Sequence, residues 1–264
     1  MRRKVLVCLS IVLFFSIWHI ISVFMASPLV LPEPKDVFLR LISLLPQKAF
    51  QTAVLSTLAR AVKAFAISLC LSLVLGILIG ADENLAAFFR FPLSVIKATP
   101  VVSIILVAMF WFKSSAVPVF VSVLMTLPVL TETVAAGIKS TDKKLLAMSE
   151  VYCFSFWQKL RFIYVPSVLP YFFSGMLSAL GLTWKVVVAG EILSLPKNSV
   201  GMALQTAKVH LETADVFAWT VTVVALSYGL ELVFNWYIRK IRSRFQPESA
   251  DGAQAPQAGG AANG

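Results

Sequence analysis

The stretch Met148–Pro170, MSEVYCFSFWQKLRFIYVPSVLP, decides how this chain is read. It sets Glu150, Lys159 and Arg161 among aromatic residues, closes on two prolines, and has long apolar runs on both sides. From Asp142 to Leu160, the residues Leu145, Met148, Tyr152 and Phe156 recur every three or four positions, which predicts a short helix with one apolar stripe. Asp142, after Thr141, is its expected start. Such a stripe has to be covered, either by the membrane surface, on which an amphipathic helix can lie flat, or by a partner's groove.

The solvent around this stretch follows from composition. Hydrophobic residues make up 58% of the chain and charged residues 14%, and the mean hydropathy is +0.84. That is too few charges to cover a water-exposed surface, so the chain is read as living in a bilayer. A crossing helix needs about 20 apolar residues. Six stretches meet or approach this: Val5–Ala26, Ala64–Gly80, Ser94–Phe112, Ser115–Ile138, Tyr164–Gly190 and Val216–Ile238. The second is short, so it is expected to recruit part of Gln51–Val62, with Arg60 and Lys63 reaching to the interface.

The resulting organisation is a first transmembrane helix in 1–26, an external segment with the start of the second span in 27–63, and a core in 64–240. The core carries a cytoplasmic loop at 139–163. The tail, 241–264, is rich in Gly, Ala, Pro and Gln and is expected to be disordered. The basic N-terminus looks like that of a signal peptide, but its apolar part exceeds the roughly 7–15 residues of a signal core, so it is read as a retained span.

The formal charge of +10 has a membrane explanation. With the N-terminus inside, the inner segments hold Arg2, Arg3, Lys4, Arg90, Lys97, Lys139, Lys143, Lys144, Lys159, Arg161, Arg239, Lys240, Arg242 and Arg244. The outer segments hold Lys35, Arg40, Lys48, Lys113, Lys197 and Lys208, joined by Arg60 and Lys63 if these reach the outer interface. This bias and an even number of spans agree on two cytoplasmic termini. Nothing in the pattern interleaves a basic groove with stacking aromatics, so no nucleic acid is expected as a partner.

Catalytic chemistry is not written in the chain. Cys8, Cys70 and Cys153 lack paired spacing, His19 and His210 belong to no H-E-x-x-H motif, and there is no Gly-x-x-x-x-Gly-Lys-Ser/Thr nucleotide loop. No metal, cofactor or ATPase activity is expected of this subunit. Among polar residues in the spans, His19 reads as a packing or interfacial group, and Glu132 and Glu231 as local partners of Lys139 and Arg239. Lys185 has three open roles: reaching the outer headgroups, pairing with Glu191, or contacting an anionic substrate. Pro100, Pro118 and Pro128 are expected kinks. A transporter driven by an ion gradient would use paired carboxylates at mid-depth, and the sequence offers no convincing pair.

The run Leu145–Pro170, LLAMSEVYCFSFWQKLRFIYVPSVLP, resembles the cytoplasmic E-A-A loop of the integral-membrane permease subunits of bacterial ABC importers. In that family a short helix has a Glu-Ala-Ala-like start, a Gly a few residues on, and a following apolar-Pro pair. Here the Glu position falls at Ala147, the second Ala at Ser149 and the Gly at Cys153, while Val165-Pro166 and Leu169-Pro170 keep the ending. Further segments, LPEPKDVF (Leu31–Phe38), STLARAVKAFAISLCLSLVLGILIG (Ser56–Gly80), FPLSVIKATPVVSIILVAMFWF (Phe91–Phe112), LGLTWKVVVAGEIL (Leu180–Leu193) and GMALQTAKVHLETADVFAWT (Gly201–Thr220), are similar to the nitrate, sulfonate, taurine and bicarbonate branch, in order.

The resemblance implies an all-α membrane protein with six transmembrane helices in the type I ABC importer permease fold. It implies a homodimer in the inner membrane, two ABC ATPase subunits, and a periplasmic or extracellular substrate-binding protein. Ala147, Ser149, Glu150, Cys153, Phe154 and Pro166 would form the ATPase-coupling loop. The solute would be a sulfonate, nitrate, taurine or related organic anion, although relatives of this branch also import pyrimidine precursors of thiamine.

Overall fold

In the computed structural model, which describes residues 2–25 and 27–245, the chain is a helical membrane bundle with no strand among the described residues. The helices are α1 (Arg2–Met25), α2 (Pro34–Leu44), α3 (Lys48–Ala81), α4 (Glu83–Ala98), α5 (Val101–Trp111), α6 (Val117–Lys139), α7 (Lys143–Val151), α8 (Phe156–Lys159), α9 (Val165–Ser194), α10 (Val200–Val209) and α11 (Thr213–Phe245). A π-turn, Leu160–Tyr164, joins α8 to α9.

The centre is α3, α6 and α9, and small residues explain why. On α3 every fourth position is small: Ser68, Ser72, Gly76, Gly80. The Ser68 and Thr126 hydroxyls lie 2.6 Å apart, and Ser72 Oγ donates to the Leu127 carbonyl at 3.1 Å. A Cβ added at Gly76 would come within 2.6 Å of Val134 Cβ, and one at Gly80 within 2.8 Å of Ile138. Helices in lipid gain little from hiding apolar surface, so close packing of small faces and interhelical hydrogen bonds hold them instead. The other face of α6 receives α9 in the same way: Gly137 lies against Val168, Gly190 against Pro118, and Ser122 Oγ donates to the Thr183 carbonyl at 3.2 Å. These pairings make α3 and α6 parallel and α9 antiparallel. The helix α11 closes against α9, with Trp184 Nε1 donating to the Val223 carbonyl at 3.1 Å.

Five helical stretches are long and apolar enough to cross: Val5–Met25, Lys48–Ala81, Val117–Lys139, Phe156–Ser194 and Thr213–Lys240. The expected third span, Ser94–Phe112, is instead two helices, α4 and α5, bent by 99°. The cause is Pro100, which lacks an N–H and disfavours helical backbone at the residue before it; Thr99 is extended, with ψ 129°. Counted as one, the bent pair brings the candidate crossings to six. Pro118 lies in the first turn of α6 and Pro128 inside it.

Other boundaries move as well. The second span is one continuous helix of 34 residues, and the fifth begins before Tyr164, at Phe156, and ends at Ser194. Helix α11 runs to Phe245, past the expected start of the tail at 241. The rest of that tail, 246–264, lies outside the described residues, as does Ala26 at the end of the first expected span. Two shorter helices, α2 and α10, lie between the expected spans. The first is tied to α11 by a bidentate ion pair of Arg40 with Asp215.

Candidate functional site

The expected single helix over Asp142–Leu160 is two helices with a structured break. Asp142 caps α7 by accepting from the Lys144 N–H at 2.8 Å, as its position suggested. After Val151 the Cys153 N–H bonds the Glu150 carbonyl at 3.0 Å and the Phe154 N–H bonds the Ser149 carbonyl at 2.9 Å. That is the paired bonding of a Schellman ending, which places the residue after the cap in the left-handed region. Cys153 occupies that position, with φ 51°, where glycine is the residue without steric cost. Ser155 then starts α8 with a capping box closed by Gln158.

The break divides the apolar stripe. Leu145 and Met148 stay on α7 and Phe156 moves to α8. Ala147, Glu150, Cys153 and Pro166 are exposed, and Phe154 is half-buried. Ser149 is fully buried, its hydroxyl bonded to the Leu146 carbonyl at 2.6 Å. Around them Val151, Tyr152, Phe156 and Trp157 are 70–81% exposed, a patch of large apolar side chains beyond what a water-facing loop leaves uncovered. Beyond it, Pro166 stands in the first turn of α9. Pro166 and Pro170 have no N–H to offer the carbonyls four residues before them. The π-turn absorbs part of this, the Val165 N–H bonding the Leu160 carbonyl.

Lys185 lies well inside α9. It is exposed, and among the described residues it forms no ion pair. Tyr171, Ser174 and Ser178 are also exposed on this helix, at spacings that carry one face up to Lys185. This polar strip on a crossing helix is uncovered within one copy of the chain.

Glu191, one turn and a half beyond Lys185, pairs elsewhere. It is wholly buried, and Arg60 Nη1 reaches its Oε1 at 2.7 Å. The Thr57 hydroxyl donates to Oε2 at 2.9 Å, and the Gly201 N–H donates to the same oxygen at 3.2 Å. Thr57 Oγ1 in turn accepts from the Val200 N–H at 3.0 Å. One carboxylate therefore joins α3, α9 and the start of α10, where backbone N–H groups favour an anion. Arg60 does not reach for headgroups as expected, because a buried partner is available to it. Glu132 likewise differs from expectation: its partner is Lys97 of α4, at 2.7 and 3.0 Å, rather than Lys139. Glu231 forms no ion pair among the described residues and instead approaches Gly181 of α9.

The comparisons with known proteins agree with this architecture. The chain is 23% identical over 237 residues to the taurine transport system permease protein TauC of Escherichia coli (strain K12), covering 87% of this chain and 84% of that protein. It is 25% identical over 206 residues to the putative aliphatic sulfonates transport permease protein SsuC of Bacillus subtilis (strain 168), covering 77% and 74%. Its fold is similar to that of a chain in an inward-facing structure of the MetNI methionine ABC transporter, with a TM-score of 0.63 at 13% identity, over 73% of this chain and 96% of that one. Residues 72–245 match the family described as binding-protein-dependent transport system inner membrane component, and the chain belongs to that family: it is a multi-pass membrane permease of the ABC importer class.

Proposed function

We propose that two copies of this chain form the path through which an ATP-driven importer takes up a small organic anion, a sulfonate first of all. Two ATPase subunits would bind at the end of the bundle that carries α7 and α8, which is then cytoplasmic along with both termini. A binding protein would deliver solute at the opposite end. The observation that carries this reading is the Cys153 break: a short helix, an exposed aromatic patch and a left-handed residue at the family's glycine position, on a chain with no nucleotide loop of its own. A partner's groove would cover that patch.

Lys185 supports the anionic solute. A lysine that does not reach the headgroups costs up to about 2.5–3.5 kcal/mol at mid-depth unless it faces water or a partner, and the strip of Tyr171, Ser174 and Ser178 below it is also ill suited to lipid. A second copy set against this face would turn the strip into the wall of a polar passage. The relatives named for taurine and aliphatic sulfonates both point to a sulfonate, which stays ionised at any physiological pH. In proteoliposomes with the complete system, Lys185→Met is expected to lower taurine uptake by about tenfold or more, the scale of a lost hydrogen bond to a charged group, with assembly intact and Lys185→Arg retaining much of the rate. Unchanged kinetics in Lys185→Met would remove this residue from the passage.

Orientation is tested separately. In a cysteine-free background, an impermeant thiol reagent applied from outside should label Lys197→Cys and miss Ser140→Cys, both positions being exposed. The reverse pattern would put the α7–α8 loop outside and end the coupling assignment.

A further inference from the structure

A second polar feature lies apart from the α9 strip, at the end of the bundle that carries α7 and α8. It is a cavity of about 650 Å³ between the last turns of α3, the whole of α4 and the second half of α6. Three cations line it, Arg90, Lys97 and Lys139, against two carboxylates, Glu83 and Glu132. Lys97 is engaged by both oxygens of Glu132. Arg90 and Lys139 have no acidic partner among the described residues. Thr131 also lines the wall. It is fully buried, and its hydroxyl has no hydrogen-bond partner, an omission that natural interiors rarely tolerate without a ligand or water to meet it.

The helix α4 explains how such a cavity exists at a membrane boundary. Its Phe88 and Phe91 are 70% and 76% exposed, apolar side chains suited to lipid, while Leu93, Ser94 and Lys97 turn towards the cavity. The 99° bend at Thr99-Pro100 turns this helix away from the line of α5, and Leu93 packs with Ile79 of α3 and Ala135 of α6, so that α4 closes one side of the space beside both helices.

We infer that this cavity is a binding site for a tetrahedral oxyanion, a phosphate or sulfonate group, held by Arg90 and Lys139 with the Thr131 hydroxyl in reserve. Three cations against two carboxylates leave the concavity with an excess of positive charge that favours an anion, and a guanidinium presents paired N–H donors that match two oxyanion oxygens. The Lys97–Glu132 pair sets the affinity, because Glu132 competes with the ligand for Lys97. The oxyanion would come either from solution, including solute that has crossed, or from the headgroup of an anionic lipid beside α4. The site rests on the proposed orientation only for its cytoplasmic side; binding itself does not.

The test uses the purified full-length chain alone in uncharged detergent, so it does not depend on ATPase, binding protein or sidedness. Sodium sulfate is titrated at constant ionic strength against chloride and followed by calorimetry. In parallel, native mass spectrometry counts retained phosphatidylglycerol and phosphatidylcholine. Saturable sulfate binding that weakens about tenfold or more in Arg90→Gln/Lys139→Gln would establish a site open to free oxyanions. Retention of phosphatidylglycerol over phosphatidylcholine, lost in the same variant, would establish the headgroup as the source. Glu132→Gln should tighten either ligand severalfold by releasing Lys97. All three substitutions are at exposed positions, where folding tolerates change. Binding of neither ligand, or equal binding by wild type and the double variant, would overturn the site.

Discussion

Glu191→Ala is expected to cost about 3–5 kcal/mol of stability, the scale for removing one partner of a buried ion pair. The substitution strands the Arg60 guanidinium, which is 16% exposed at the side chain, together with the Thr57 hydroxyl and the Gly201 N–H. Thermal unfolding of the purified chain should fall sharply, and the yield of monodisperse protein with it. The double variant Arg60→Met/Glu191→Met should recover part of the loss, because both charges leave together and no charge is left buried without a partner, although the Thr57 hydroxyl and the Gly201 N–H still lose their acceptor. Glu191→Gln should fall between, keeping an acceptor for Thr57 and Gly201 but not the charge for Arg60. If the double variant is as unstable as the single one, the node acts through shape and not through charge.

Cys153→Arg is the second large effect, on coupling rather than folding. An arginine at φ 51° is no worse placed than the native cysteine, since both pay the left-handed cost of about 1–2 kcal/mol, so insertion and folding should persist. If the ATPase subunit closes over this loop, a long charged side chain there meets a desolvated surface, and an unpaired buried charge costs several kcal/mol. Ligand-stimulated ATP hydrolysis by the reconstituted complex should therefore drop by about tenfold or more. Cys153→Gly should do the opposite locally, relieving roughly 1 kcal/mol and leaving hydrolysis coupled. Full coupling in Cys153→Arg would mean that no partner approaches the break, and the helix would then be one that only rests on lipid, where an added cation is welcome.

The parts of this molecule that sequence reading reaches are those in which one residue type carries the message. Long apolar runs name the crossings. Asp142 marks a helix start because its side chain acts locally. The break after Val151 is hidden in the sequence because cysteine is an unusual left-handed residue, although Ser155 and Gln158, three apart, are a legible second start. The kink at Pro100 is legible by the same local argument and is expected, but its size, 99°, is not, because the hydropathy of Ser94–Phe112 runs straight through it. Long-range pairing is the opposite case. Arg60 and Glu191 are separated by 131 positions and Lys97 and Glu132 by 35. A lone chain of letters offers each cation several nearer candidates, and only the packing of α3 on α9 and α4 on α6 selects among them.

The bend has a consequence for voltage. Helix α5 has 11 residues and so rises roughly 16 Å, about half the hydrocarbon thickness of an ordinary bilayer. If α4 stays at the bundle's end and α5 alone enters the bilayer, lipid beside α5 would thin, or water would enter from the α4 end. Either way the insulating layer would be short at this point, and the electric field across the membrane would be concentrated there. An anion moved into a negative interior meets about 2.3 kcal/mol for each charge and each 100 mV whatever its route. A thin dielectric leaves that work unchanged and compresses it into a few ångströms, so that a small displacement of the solute or of a fixed charge nearby carries most of the electrical step.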